Sequence, residues 1–368
     1  MFTRSLEVDL KDLQFAVFGA GFWAPFQIAG WQEVEGARCV AIYNRTLAKA
    51  EKVAKAFGIP RVYADPEKLL EREKLDFLDV ITDGGTHCRY VQMAARHKLP
   101  VITQKSMANT LAEGESMVKA CREAGVPLLV HENWRWQNQI REFKKALDSG
   151  DIGTPFRARM FQVTGYPIFT TEPNLKDLEE YILKDMGTHL LDVARFLFGE
   201  ADRLYCQTHQ VHKDIKGEDV ATVMMHMGGK TTVTCYMGFP GHFLENDVFT
   251  QTLILAEGDK GSLELDRHYW LRVTTESGTR SHRYPPVYKP WMLPDYVASH
   301  SSIARCNAHL LQALRGERQA ETTGDDNLKT LRLAFAAYES ARTGNAVRLC
   351  MGSAPGEQEL HLARHGNL

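Results

Sequence analysis

Asp185, His189 and Asp192 stand in the stretch LKDMGTHLLDVARFLFG at positions i, i+4 and i+7. That spacing puts all three on one face of a helix. Leu183, Met186, Leu190, Val193 and Leu197 form an adjoining apolar face that can anchor it. An imidazole one turn from a carboxylate can have its tautomer and orientation fixed by that partner. A general acid–base needs this in order to take a proton from a secondary alcohol. Two carboxylates and a histidine are also a partial metal set, but nothing nearby supplies a fourth ligand, and no metal is expected. A structural capping role for Asp185 stays open.

Four further stretches carry residues of the right type at the right place. VFGAGFWAPFQ sets its glycines directly behind the apolar block Phe15–Phe18 and ahead of a helix-like spacing of Phe26, Gly30 and Trp31. Strand, glycine turn and helix in that order are the context of a dinucleotide fingerprint. Gly19 would allow the tight turn, Gly21 would let a pyrophosphate approach the backbone, and Ala24 stands where the third glycine often sits. Phe22 and Trp23, inside the turn, are counted with it as cofactor contacts. AIYNRT ends the second strand with Asn44 and Arg45 where an acid would hold the adenosine ribose of NAD. Arg45 could pair with a 2′-phosphate and Asn44 could still bind a ribose hydroxyl, so NAD and NADP both remain. DVITDGGTHCRY puts Thr82 and His87 at the carboxyl end of a third strand, where open α/β sheets bind ligands, and both are counted as cofactor contacts. VITQKSMANT does the same for Gln104 and Lys105, also counted at the cofactor, and that lysine could hold a hydroxyl or carbonyl oxygen.

The elements that must position these residues fall into two textures. From Phe15 to His131, strand-like segments (Phe15–Phe18, Cys39–Tyr43, Phe77–Thr82, Pro100–Thr103 and Pro127–His131) alternate with helical ones such as Leu47–Phe57, Arg89–His97 and Leu111–Ala124. Thr110 is an N-cap for the last of these and Gly125 its stop. The alternation predicts a parallel sheet with helices on both faces. After a helix near 134–149, alternating strands dominate: Phe156–Val163, Arg203–Val211, Thr222–His226, Thr231–Met237, Thr252–Ala256 and Ser262–Leu265. Turns such as MGGK and EGDKGS separate them. Helices are expected at Tyr181–Phe198 and Asp326–Thr343. The expected fold is an α/β Rossmann dinucleotide-binding domain at 1–133, an α+β domain with a large, mostly antiparallel open sheet at 134–350, and a tail at 351–368. The site should lie in the crevice between the domains.

Composition narrows the function classes. At 368 residues the chain exceeds one ordinary domain. A formal net charge of −2 gives no electrostatic footprint for nucleic acid or an anionic membrane. No stretch approaches the ~20 apolar residues of a membrane span, and the N-terminus is too polar for a secretory signal. The cysteines (Cys39, Cys88, Cys121, Cys206, Cys235, Cys306 and Cys350) are scattered without C-x-x-C spacing, a pattern of reduced thiols in a cytoplasmic protein.

VFGAGFWA, VITQKSMA and DMGTHLLD together resemble, in order and spacing, the glucose–fructose oxidoreductase, inositol dehydrogenase and MocA (Gfo/Idh/MocA) family. The likeness runs from about Phe15 to Leu349 and includes TGDDNLKTLRLAFAAYESARTG. It implies an NAD(P)-binding Rossmann domain and hydride exchange between nicotinamide and a carbon of a sugar, polyol or sugar derivative. It also implies a homo-oligomer, dimer or tetramer, joined through the C-terminal sheet. Lys105 matches the lysine of the family's E-K-P motif, and Asp185 and His189 match its D-x-G-x-H pair. Gly19 and Gly21 match its fingerprint; Asn133 and Arg135 match polar positions near nicotinamide and substrate. Lys105, Asp185 and His189 are then the catalytic set, and Trp134 and Trp136 could stack on a sugar. VPLLVHENWRWQ, DVARFLFGE and GEDVAT are most similar to the branch that includes D-apiose dehydrogenase, which leans the cofactor to NAD. Two departures stand out: Gln104 replaces the family's glutamate and Ser106 its proline. The first predicts a lysine that deprotonates more easily or acts mainly as a hydrogen-bond donor. The second removes the proline of a bond that the family often has in cis, and allows a trans bond with a shifted lysine. The alternatives are a redox-neutral enzyme that cleaves glycosides or epimerises, and a non-catalytic nucleotide-binding protein.

Overall fold

The computed structural model describes residues 12–242, 249 and 251–349. β1 (Leu13–Phe18), β2 (Ala37–Tyr43), β3 (Arg61–Tyr63), β4 (Phe77–Val80), β5 (Val101–Gln104) and β6 (Leu128–His131) form one sheet in the order β3-β2-β1-β4-β5-β6. Every pair in it is parallel. The crossovers are α1 (Ala24–Gln32), α2 (Leu47–Phe57), α3 (Pro66–Arg72), α4 (Gly84–Arg96) and α5 (Leu111–Ala124). Because strand side chains alternate, β1 feeds two cores: Ala16 and Phe18 pack with Leu78, Val91 and Met117 on one face, and Phe15 and Val17 pack with Ile28, Trp31 and Ile102 on the other. Thr110 makes a capping box with Glu113, and Gly125 ends α5 in the left-handed region, as the sequence predicts. The strand order reverses direction between β1 and β4, so their carboxyl ends open a crevice there.

After a 3₁₀ turn at Asn133–Trp136 and α6 (Asn138–Asp148), the chain builds the second sheet. Its strands are β7 (Pro155–Val163), β8 (Ala201–His209), β9 (Val220–Met227), β10 (Thr231–Gly238), β11 (Leu253–Gly258), β12 (Gly261–Asp266), β13 (Trp270–Thr275), β14 (Gly278–Arg283) and β15 (Val347–Arg348). Their order is β14-β13-β12-β11-β7-β10-β9-β8-β15, antiparallel except for β7 with β10. The remaining helices are α7 (Ile168–Thr171), α8 (Met186–Phe198), α9 (Val297–His300), α10 (Ile303–Leu314) and α11 (Gly324–Thr343). One face of the sheet, with Met160, Val223, Val233 and Cys235, is buried with Leu190, Val193, Phe143 and Ala337 of α8, α6 and α11. The other face is open: Phe161 stacks on Tyr236 at 4.7 Å, and Met224 is exposed.

Three differences from the sequence reading have physical causes. β3, β14 and β15 are absent from it because three-residue and shorter strands carry no periodicity, and β14 (GTRSHR) is exposed along its whole length; β13 is absent from it as well. The predicted helix at Tyr181 begins only at Met186. The Glu218 carboxylate accepts from the backbone N–H groups of Tyr181 (3.2 Å) and Leu183 (3.4 Å), which holds that segment as a turn. α10, which the sequence reading leaves with the second domain, packs its Cys306, Leu310 and Leu311 into the core beside Trp31. Thr322 follows it back, giving its hydroxyl to Val130 O and accepting from Val130 N–H, so the end of β6 is flanked by returning chain. The predicted tail at 351–368 lies outside the described residues.

Candidate active site

The glycine turn after β1 has the shape a dinucleotide needs. Gly19 lies at φ +118, and a Cβ there would stand 2.6 Å from Ile81 O of the neighbouring strand end. Only glycine lets the turn pass so close. Gly21 is exposed, and a Cβ built on it meets nothing within 4 Å, so its backbone is open to a ligand approaching the N-terminus of α1. Asn44 braces the turn: its Oδ1 accepts from Ala20 N–H at 3.2 Å while its Nδ2 donates to Thr46 O. Arg45 is exposed at the same strand end. Phe22 is 48% exposed and lies against Phe26 and Tyr296; Trp23 is half-buried against Phe26 and His300. This set fits NAD(P). Gly19→Ala should cost about 1–3 kcal/mol for the forbidden backbone region alone, read as a fall in Tm, with NADH binding lost alongside it.

β5 delivers the next residues. Gln104 is buried, and its Nε2 has no partner among the described residues, a donor left over for a ligand. Lys105 follows, its Nζ 2.6 Å from Asp185 Oδ1 and 3.2 Å from Asp185 O. The trans bond allowed by Ser106 is not found: Lys105–Ser106 is cis. Both sides of that peptide are held. The Ser106 hydroxyl donates to Lys184 O, and Ser106 O faces His87 Nδ1 at 3.0 Å. Of the two expectations for this lysine, easier deprotonation is reversed, and the amine acts as a hydrogen-bond donor. Burial works against the charge, but Asp185, with Glu132 and Glu172, more than offsets it and holds the amine above its ordinary pKa. His87, expected at the cofactor, has both ring nitrogens against backbone carbonyls, Nδ1 at Ser106 and Met107 and Nε2 at Thr82. It ties the β4 loop to the lysine loop. Thr82 accepts from Thr86 at 2.7 Å.

The opening of α8 brings the remaining groups. Asp185 is its N-cap residue rather than part of the helix, and it makes no side-chain cap bond. Its carboxylate is turned to Lys105, which, against burial, keeps it below the ordinary carboxylate range. His189, one turn on, is 7% exposed, and its Nδ1 meets Glu132 Oε1 in a short contact. The sequence reading sought the imidazole's partner on its own helix; the partner is Glu132, carried in from the end of β6. Glu132 is fully buried, and burial, offset by Lys105 and Arg135, pushes its pKa up to about 7. Burial and Lys105 push His189 well down, so at neutral pH its ring is uncharged. Nδ1 faces Glu132, and Nε2 has no protein partner among the described residues. Trp134 covers the ring, stacked at 4.4 Å and 3°.

Several expected substrate contacts are structural instead. Trp134 is buried beneath His189, and Trp136 packs on His309, so neither can stack on a sugar. Arg135 is 5% exposed and gives Nε and Nη2 to Asp192 at 2.5 and 2.6 Å, with Nη2 also 2.8 Å from Asp326. Its guanidinium is consumed by that network, which Arg195 extends to Glu200 and Thr330. Asn133 donates to Ser299 O and Ser302 Oγ, fastening β6 to α9. Unforeseen by the sequence is Glu172, bonded by the Tyr296 hydroxyl at 3.0 Å. Burial, together with the Asp185 charge, raises its pKa.

Residues 13–132 match the model described as "Oxidoreductase family, NAD-binding Rossmann fold", and residues 140–264 match the GFO/IDH/MocA C-terminal domain. A D-apiose dehydrogenase from Paraburkholderia graminis is 38% identical over 343 residues, 92% of this chain and 90% of that protein. One from Rhizobium rhizogenes is 37% identical over 92% of this chain and 98% of its own length. The fold is similar to an oxidoreductase from Agrobacterium radiobacter solved with NAD+, L-tartaric acid and magnesium. The TM-score is 0.89 and the identity 36%, over 92% of this chain and 98% of that one.

Proposed function

The chain belongs to the GFO/IDH/MocA oxidoreductase family, and from that premise we propose that it oxidises a secondary hydroxyl of a neutral sugar, with NAD as the preferred cofactor. D-apiose is the first substrate to try, since two relatives that share over a third of its residues across most of its length carry that name. Bound NAD(P) supplies the hydride acceptor; the Gly19–Gly21 turn, the α1 N-terminus, Asn44 and Gln104 would hold it. His189 Nε2 removes the hydroxyl proton. Lys105 donates to the same oxygen, and Asp185 keeps that amine charged and aimed.

The observation that carries this reading is the contact of Lys105 Nζ with Asp185 Oδ1, at 2.6 Å, one helical turn before His189. It joins the carboxyl edge of the Rossmann sheet to the start of α8, so an amine and an imidazole from different domains share one end of the cleft. The electrostatics divide the labour: a neutral His189 can accept a proton, while a lysine held above its ordinary pKa can only donate. The test is absorbance at the reduced-nicotinamide band with NAD+ or NADP+ against a panel of aldoses, polyols and glycosides. Net accumulation of reduced cofactor with a sugar is the expected result. Glycoside cleavage or epimerisation without net reduction would reassign the chemistry, and cofactor binding with no turnover at all would end it.

Arg45, exposed at the end of β2, governs cofactor choice. Arg45→Ala should leave KM for NAD within about two-fold. It should raise KM for NADP by roughly ten-fold or more, the ~1.5 kcal/mol or more of one hydrogen bond to a charged group. Equal effects on both cofactors would remove Arg45 from the 2′-phosphate.

The protein works as a cytoplasmic homo-oligomer joined through the open face of the second sheet. The stacked Phe161–Tyr236 pair and exposed Met224 on that face, and six unpaired cysteines among the described residues, support this. Among the described residues no helix is long and apolar enough to cross a membrane.

A further inference from the structure

We propose that Glu132 is the positioning residue of this reaction: its carboxylate fixes the His189 proton on Nδ1 and balances the charge the ring gains when Nε2 takes the substrate proton. The inference rests on His189 being the base.

The geometry is specific. Glu132 is the first residue past β6 and has no exposure to solvent. A carboxylate so deep must have a partner, and Oε1 finds it in His189 Nδ1, while Oε2 has none among the described residues. Trp134, two residues along the same turn, lies flat on the imidazole at 4.4 Å, so the ring cannot rotate to exchange its nitrogens. The turn therefore delivers a charge partner and a planar clamp from one element to a ring on another. Asp185 cannot perform this task, because its carboxylate is held by Lys105; Asp192 cannot, because both of its oxygens are held by Arg135.

The proton count follows. The substrate O–H bond breaks and an N–H bond forms at Nε2; the C–H electron pair leaves as hydride to the oxidised nicotinamide. The ring then holds two protons next to Glu132, which shares the one on Nδ1. In the reverse direction the Nε2 proton returns to the carbonyl oxygen. The charged and titratable groups around this ring are Lys105 from the β5 loop, Asp185 and Asp192 on either side of it along its own helix, His131 and Arg135 from the β6 turn, and Cys306 of α10, which interacts with Glu132. Among the described residues, Glu132 alone touches Nδ1.

Histidine-15N NMR of the wild-type protein, with His189 assigned through His189→Gln, reads the tautomer without turnover. A protonated Nδ1 and a bare Nε2 at neutral pH are expected; the opposite tautomer would overturn the proposal. Glu132→Gln supplies the second arm. Its kcat should fall roughly 10- to 100-fold, the range for removing a carboxylate that orients a metal-bound imidazole. A negative neighbour stabilises the imidazolium, so its loss lowers the pH at which the ring protonates. The acid limb of the kcat profile should therefore move to lower pH, whereas Glu132→Asp, which keeps the charge, should keep the limb in place. An unshifted limb in Glu132→Gln, or an unchanged kcat, would reduce Glu132 to packing. Should Glu132→Gln fail to fold, the wild-type tautomer decides the matter. Full activity in His189→Ala would instead remove the reading beneath the proposal, so the two failures are distinguishable.

Discussion

Replacing His189 with alanine should lower kcat by roughly 10²–10⁴-fold, the contribution of one positioned general acid–base. The imidazole is buried and uncharged at neutral pH, and its Nε2 has no protein partner among the described residues. The substitution leaves Lys105 on Asp185 and the glycine turn intact, so NADH affinity, followed by protein fluorescence, should change little. It also uncovers one face of Trp134 and leaves the Glu132 carboxylate without its partner, so some loss of Tm is expected. The diagnostic is therefore kcat in protein shown to be folded and cofactor-competent. Undiminished turnover in such protein would take His189 out of the chemistry.

Arg135→Ala should destabilise the fold by about 3–5 kcal/mol, the cost of removing one partner from a buried ion pair. Asp192 is fully buried and accepts two bonds from this arginine; Arg195 approaches it at 3.7 Å but is already engaged with Glu200, Asp326 and Thr330. Without Arg135 the carboxylate must keep a poorly compensated charge or take up a proton. Asp326, at the start of α11, loses a donor as well, so the damage reaches the joint between α8 and α11. Urea unfolding midpoints measure this directly. The competing role is the one the sequence suggests, a contact to substrate. That role predicts normal stability with a raised KM for the sugar, and finding that combination would contradict the structural assignment.

The contrast between these two residues shows what a sequence can carry. His189 sits in a pattern with its own periodicity, and Lys105 ends an apolar strand; both placements depend on local rules that a reader of the chain can apply. The parallel sheet was legible for the same reason, since β1, β2, β4, β5 and β6 are apolar blocks separated by helices at regular spacing. Glu132 was not legible. It differs from other carboxylates only in what the fold packs around it, and the pairing with His189 spans 57 residues and two domains. The one local signal was a glutamate directly after an apolar strand, at the same sheet edge that gives Lys105. Arg135 and Trp134 misled for a related reason: an arginine or a tryptophan beside a site looks the same in sequence whether it faces ligand or core. Asp185 lay on the right face but in the wrong element, because the turn that Glu218 holds at Tyr181–Leu183 is made by residues distant in the chain. Ser106 is likewise tied to Lys184 and His87, contacts that no local rule at Ser106 reports.

The central claim is that the amine of Lys105 and the imidazole of His189 act on one substrate oxygen, at the carboxyl edge of the Rossmann sheet. A crystal structure of the protein with NADH and a sugar that it turns over measures this most directly. The account predicts one sugar oxygen within hydrogen-bond reach, ~2.6–3.2 Å, of both His189 Nε2 and Lys105 Nζ, with its carbon facing the nicotinamide. A productively bound sugar whose reacting oxygen touches neither group, or touches Lys105 while His189 Nε2 faces away, would contradict it.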